Sequence, residues 1–173
     1  HAVSGIMVQN PELLRGWQID LAGWDHENCR AELEQIARDN KLEQTVIFHG
    51  GMFGEDKQRM YACADGYILP SHGEGLPMTV LEAWSWKKPV IITPECHLQE
   101  GYEAEAAIRI EDNTKSVTDG LIRFLTMTER EKMGQNGYNL VCSNFTWDAA
   151  AKKMIELYEW LSGKRKKPDF VYE

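Results

Sequence analysis

Short apolar runs alternate along this chain with longer segments of helical period, and that alternation restricts the fold more than any other feature. Trp17–Ala22 (WQIDLA), Thr45–His49 (TVIFH), Gly66–Leu69 (GYIL) and Pro89–Thr93 (PVIIT) read as strands, with a weaker fifth at Ala106–Ile110. Helical period runs through Glu27–Asn40, Glu55–Ala64, Pro77–Lys87, Thr114–Met127, Glu129–Phe145 and Trp147–Ser162. Parallel strands need a crossover long enough to hold a helix, so strand–helix alternation implies βαβ units. The runs are continuously apolar rather than alternating, as strands covered on both faces are. The expected fold class is α/β, a Rossmann-like three-layer sandwich with a mostly parallel sheet of about five strands. Pro77 is expected at the first helical position, where its missing N–H does no harm.

At 173 residues the chain fits one domain with a full core, expected to span 1–173 with a flexible tail over 163–173. The net charge of −8 argues against nucleic acid as a partner, since an acidic chain gains nothing from counterion release. A small anion remains possible, because backbone amides bind phosphate without net positive charge. Cys29, Cys63, Cys96 and Cys142 form no C-x-x-C pair and read as reduced thiols of a cytoplasmic protein. No apolar run approaches the ~20 residues that span a bilayer. His1–Asn10 lacks the pattern of a signal peptide, and His1 in place of Met points to a start that has been cut back. The run Lys164–Lys167 (KRKK) reads as a solvated end, with peripheral association at an anionic membrane face as the sharper alternative.

Glycine or proline follows nearly every strand: Gly23, then Gly50 and Gly51, then Pro70–Gly75, then Pro94. In open α/β sheets ligands bind beyond the carboxyl ends of the strands. The most informative stretch is Leu69–Thr93, LPSHGEGLPMTVLEAWSWKKPVIIT. A strand ends at Pro70, a polar loop follows, and a helix opens near Leu76–Pro77. The free amides of a helix start carry partial positive charge and make a seat for phosphate or diphosphate. Glu74 stands just before that helix. Glu82 lies inside it, within Met78-Thr79-Val80-Leu81-Glu82-Ala83-Trp84. An acid in such a run needs a donor, and a ribose diol supplies two hydroxyls.

The same stretch resembles the signature of glycosyltransferase family 4: Pro-Ser-x-x-Glu-Gly, then Leu-Glu-Ala, then a turn and Pro-Val-Ile. Glu74 and Glu82 match the family's E-x7-E acids. Ile19–Gly23 resembles its strand ending in glycine, and Val46–Gly50 its Val-x-Phe-x-Gly element; the likeness runs from about Trp17 to Trp160. It implies the C-terminal, donor-binding half of a GT-B fold and retaining transfer from a UDP-, GDP- or ADP-linked sugar in polysaccharide or glycolipid synthesis. No cofactor and no metal are implied. Glu74 is the implied catalytic contact to donor-sugar hydroxyls. Ser71, His72, Gly75, Leu76, Pro77 and Thr79 would bind the donor, with amides near Gly75 and Leu76 holding the diphosphate; Glu82 would hold the ribose, and Gly23, Gly50, Gly51 and Met52 would line the base. The family's opening Val-Gly-Arg-Leu strand, its following lysine and its N-terminal acceptor domain have no match in this chain. The chain alone is therefore expected to be inactive. Trp86 and Lys87 replace the family's small residue and glycine at the far end of the helix.

Other residues have plainer readings. His72 is either a phosphate or acceptor contact or an exposed loop histidine. Cys96-His97 and His26-x-x-Cys29 do not complete a four-ligand zinc pattern. Trp17, Trp84, Trp86, Trp147 and Trp160 read as packing residues, whereas Trp24 follows Gly23 onto the ligand edge. Thr93–Glu100 is expected to line the same cleft. The alternatives are a nucleotide-sugar epimerase domain, a non-catalytic nucleotide-sugar-binding module, and a glycoside hydrolase using Glu74 and Glu82. The last is disfavoured because one acid stands at a helix mouth and the other in its body.

Overall fold

The structure is a computed structural model and describes residues 1–25 and 28–171. Five parallel strands appear where the apolar runs lie: β1 Ile19–Ala22, β2 Val46–Gly50, β3 Tyr67–Leu69, β4 Val90–Ile92 and β5 Ala107–Arg109. Four are shorter than the run that announces them, and β2 has the same length shifted by one residue. Eight helices accompany them among the described residues: α1 Ala2–Gln9, α2 Cys29–Asp39, α3 Gly54–Cys63, α4 Met78–Ser85, α5 Gln99–Glu103, α6 Thr114–Thr126, α7 Arg130–Asn144 and α8 Trp147–Leu161. The expected start of the second helix at Glu27, like His26, lies outside the described residues.

The strands do not share one ladder. β1 pairs with β2, and β3–β4–β5 form a separate three-stranded set. Ile68 stands opposite Ile91, and Ile91 opposite Ile108, in the larger set. Because side chains alternate across a strand, Val90 and Ile92 enter one layer and Ile91 the other. Val90 and Ile92 join Val80, Ala83, Trp84, Leu98 and Leu140, which come largely from α4 and α7. Ile91 joins Ile108, Ile110 and Phe124, with α6 as the cover. Helices on both faces of a parallel sheet give the expected three-layer α/β sandwich. β4 is buried along its whole length, as its apolar run implies. β1 is largely exposed, so its apolar character does not report burial on both faces.

The amino-terminal segment is helical, which the sequence does not announce. AVSGIMVQ has no strong apolar face, yet α1 buries Ile6 completely and Thr118 Oγ1 of α6 reaches the Ala2 carbonyl at 3.5 Å. Tertiary contact overrides weak local pattern there. The tryptophans divide likewise. Trp84 is fully buried and Trp17 meets Phe124 edge-on at 5.8 Å. Trp86 and Trp147 are exposed, against the packing reading. Trp147 belongs to α8, which has no buried residue and exposes Met154, Ile155, Tyr158 and Leu161. Beyond α8, Arg165 bridges to Glu156 and Glu159, each at 3.6 Å, and Pro168 is buried.

The hold on α4 positions the site. The Trp84 indole donates its Nε1–H to the Ala106 carbonyl at 3.1 Å. It fills a slot that Gly101 and Gly137 keep open: a Cβ at Gly137 would meet Trp84 at 2.1 Å. One turn earlier in α7, a Cβ at Gly134 would stand 1.9 Å from the Lys87 carbonyl oxygen. Backbone cannot yield as a side-chain tip can. Gly134→Ala should therefore lower stability by about 1–3 kcal/mol through overpacking. A urea titration with a lowered midpoint and unchanged slope is the expected result; an unchanged midpoint would show that α7 does not rest on the end of α4.

Candidate functional site

Loops at the carboxyl ends of β3, β4 and β5 are tied to one another. Thr93 Oγ1, just beyond β4, donates to the Ser71 carbonyl at 2.6 Å. The Glu74 amide donates to the Glu95 carbonyl at 3.0 Å. His72 Nδ1 bonds to Asp112 Oδ2 beyond β5. The loop after β3 is thus fixed by two neighbours rather than left to solvent. His72 has a carboxylate partner, which its sequence surroundings do not suggest.

Within this loop Ser71 Oγ donates to Glu74 Oε1 at 2.9 Å. That bond holds the carboxylate beside the mouth of α4. α4 begins at Met78 with Pro77 as its N-cap residue, φ −72° and ψ 94°, and has no side-chain cap. This corrects the expected first helical position: Pro77 stands one residue outside the helix because its ψ is extended. Pro77 is buried and fixes the entry, while Gly75, Leu76 and Thr79 are exposed beside it. Val80 N–H bonds to the Pro77 carbonyl at 3.0 Å, so the first turn consumes that donor. The preceding helix amides have no capping side chain to take them. An uncapped helix start attracts an anion through its aligned peptide dipoles.

Glu82 has protein donors, where its apolar neighbours in sequence suggest none. Lys57 Nζ lies 2.6 Å from its Oε1 and Tyr61 Oη 3.1 Å from its Oε2. Tyr61 Oη also lies 3.1 Å from the Thr79 carbonyl in the first turn of α4. Lys57 and Tyr61 are four residues apart on α3 and so share a face. Sequence reasoning missed both; that i, i+4 spacing is the only trace of them. It missed Asp112 and Phe53 as well.

The remaining expected contacts lie on the other ladder. Gly23 N–H donates to the Gly50 carbonyl at 2.9 Å, which joins the ends of β1 and β2. Gly51 sits under an aromatic pair: Trp24 and Phe53 have ring centroids 5.3 Å apart, and a Cβ on Gly51 would meet Phe53 at 3.1 Å. Both rings are largely exposed, so Trp24 lies outside the core, just beyond the carboxyl end of β1. Met52 follows, half-buried. The two clusters are linked by α3, which leaves the Gly50–Phe53 loop and delivers Lys57 and Tyr61 to Glu82.

Two shallow surface hollows, one lined by Arg30, Glu34 and Phe48 and one by Glu55, Arg59 and Trp86, contain none of the expected contacts. Glu95 Oε2, behind the β3 loop, is buried with no hydrogen-bond partner among the described residues. Among the described residues no three His, Cys, Asp or Glu side chains gather as a metal site requires. Cys29, Cys63 and Cys142 are exposed free thiols, and Cys96 is a buried one whose pKa is raised chiefly by burial. None of the described helices is long and apolar enough to cross a membrane.

Burial raises the Tyr61 pKa above 10.0, with repulsion from Tyr67 and Glu82 adding to it. Burial likewise pushes Tyr102 up to about 12. A raised folded-state value means that the folded chain keeps a proton which the unfolded chain releases. The associated stability is intact below the ordinary value and is lost as pH climbs through the folded one. Thermal midpoints should thus decline above about pH 10. Tyr61→Phe should decline less steeply, and equal slopes would show that Tyr61 does not contribute.

The family model described as "Glycosyl transferases group 1" matches residues 3–127. An uncharacterized glycosyltransferase of Methanocaldococcus jannaschii is 25% identical over 152 residues, which are 86% of this chain and 39% of that protein. The C-terminal domain of a glycosyl transferase group 1 family protein from Francisella tularensis superimposes with a TM-score of 0.71 at 25% identity, over 84% of this chain and 76% of that one. The pneumococcal O-GlcNAc transferase solved with UDP and GlcNAc has the same fold, with a TM-score of 0.70 at 16% identity over 92% of this chain and 32% of that one. The chain thus spans about two fifths of the length of the archaeal relative.

Proposed function

Because the chain belongs to the group 1 glycosyl transferases, we propose that it is the donor-binding half of a retaining glycosyltransferase. In this reading it presents a nucleotide sugar to an acceptor held by a further domain, in synthesis of cell-surface polysaccharide or glycolipid. The observation that carries the proposal is the pair of held carboxylates about the uncapped start of α4. Glu74 is fixed by Ser71 at the mouth, and Glu82 by Lys57 and Tyr61 in the body.

Each part has a task in this reading. The diphosphate lies against the amides near Gly75, Leu76 and Thr79, with the ring of Pro77 beneath it. The helix dipole offsets its charge, and no metal ion is required. Glu82 accepts from the ribose hydroxyls. Glu74, with His72 and Ser71 beside it, accepts from the sugar and orients its reacting carbon. The base rests along Gly23, Gly50, Gly51 and Met52 beside the Trp24–Phe53 pair, where aromatic faces suit a flat ring. The similarly folded pneumococcal enzyme, solved with UDP and GlcNAc, favours a nucleotide-sugar donor. Unpaired cysteines, three of them exposed, favour the reducing cytoplasm. The basic run 164–167 beside the exposed apolar residues of α8 favours peripheral contact with a membrane face.

Calorimetry against UDP-, GDP- and ADP-sugars tests donor binding, and no binding of any of the three would remove the proposal. Glu82→Ala should weaken nucleoside diphosphate binding by about 1.5–3 kcal/mol, the range for a hydrogen bond to a charged group. Glu74→Ala should leave nucleoside diphosphate affinity in place and erase the extra affinity of the matching nucleotide sugar. The opposite pattern would exchange their roles. The purified chain should show no transfer to a simple acceptor, since orienting two reactants requires both walls; measurable turnover would overturn that expectation.

A further inference from the structure

Glu82 is held in a way that the ribose-binding reading alone does not require. Lys57 approaches one carboxylate oxygen at 2.6 Å and Tyr61 the other at 3.1 Å. The Lys57 and Glu82 side chains remain 40% and 33% exposed. An ion pair so open to water adds little to stability. Its effect is geometric. A free glutamate turns about three side-chain bonds, whereas one gripped at both oxygens has a fixed carboxylate plane. The single Tyr61 hydroxyl proton is shared between Glu82 Oε2 and the Thr79 carbonyl, each at 3.1 Å, which leaves Lys57 as the undivided donor to the carboxylate.

An ionised carboxylate offers about four lone-pair sites. Lys57 and Tyr61 occupy one on each oxygen, which leaves one on each for a ligand. Two acceptor sites on neighbouring oxygens match two vicinal hydroxyls. The ammonium also neutralises a carboxylate that would otherwise face an incoming diphosphate with like charge. Lys57 lies one turn into α3, beyond the Gly50–Phe53 loop, so it couples the base-side loop to the ribose-side acid.

We infer that Lys57 is a positioning residue for nucleotide recognition, fixing Glu82 so that its two open lone pairs meet the 2′- and 3′-hydroxyls of a ribose. This rests on the donor-site reading of Glu82. Preorganisation of this kind raises discrimination more than overall affinity, since the diphosphate contacts are untouched.

The test is calorimetric titration of the chain with UDP, GDP and ADP, each against its 2′-deoxy form. The wild-type chain should prefer the ribose form of the nucleotide it binds by about tenfold or more, the factor for one charged hydrogen bond. Lys57→Met should bring that preference down to about threefold or less. Lys57→Arg should restore it, because a guanidinium also donates to the carboxylate. A preference retained in Lys57→Met would overturn the role of Lys57 while leaving Glu82 as the ribose contact. No preference in the wild-type chain would instead remove the Glu82 reading, and this inference with it. Should Lys57→Met fold poorly by circular dichroism, Lys57→Leu, which likewise cannot donate to the carboxylate, carries the same expectation and the same overturning result.

Discussion

The placement of α4 depends on the Trp84 indole. It is fully buried, donates its only polar hydrogen to the Ala106 carbonyl, and fills a slot bordered by Gly101 and Gly137. Those glycines belong to α5 and α7, so one side chain locks three helices and the approach to β5 together. A large aromatic ring with its N–H satisfied combines apolar burial with a fixed direction. α4 has only eight residues, too few to persist without packing. Its mouth and Glu82 stand where they do because Trp84 is anchored two residues beyond that acid.

Parallel pairing then decides which loops meet. β3, β4 and β5 run the same way, so their carboxyl ends emerge together. The bonds Thr93–Ser71 and Glu74–Glu95 join the loops after β3 and β4, and His72–Asp112 joins those after β3 and β5. Strands of three residues gain little rigidity from their ladders alone, and these cross-loop bonds add to it. β1 and β2 form their own ladder, and α3 spans the interval between the two sets. The face of α3 that carries Lys57 and Tyr61 therefore connects the Gly50–Phe53 loop to Glu82.

The chain is acidic, with a net charge of −8, and is proposed to hold a dianionic diphosphate. Long-range attraction cannot bring such a ligand in. Local features must compensate: helix amides with no capping side chain, and a lysine that cancels the charge of Glu82. Both act within a few ångströms, where geometry outweighs net charge. Glu74 can likewise stand beside the proposed phosphate seat, since Ser71 donates to it and offsets part of its charge.

Much of this was legible in the sequence. The apolar runs located all five strands to within about two residues, although only β4 is buried along its whole length and β1 is largely exposed. The spacing of Glu74 and Glu82 between Leu69 and Ile91 placed the two candidate acids in a loop and in the helix that follows, because a loop and the first turns of the next helix are local geometry. What the sequence left undecided involved residues far apart in the chain. Nothing near Glu82 names Lys57 and Tyr61 as its partners, nothing near His72 names Asp112, and the weak pattern of α1 does not announce its seat on α6. The division of the strands into two ladders is likewise invisible in any one strand. Periodicity and motif are set by neighbours along the backbone, so the sequence determined the elements and the placing of the two candidate acids on them. Ion pairs, slots and ladder edges are set by which surfaces meet after collapse, so only the tertiary structure decided how those acids are held.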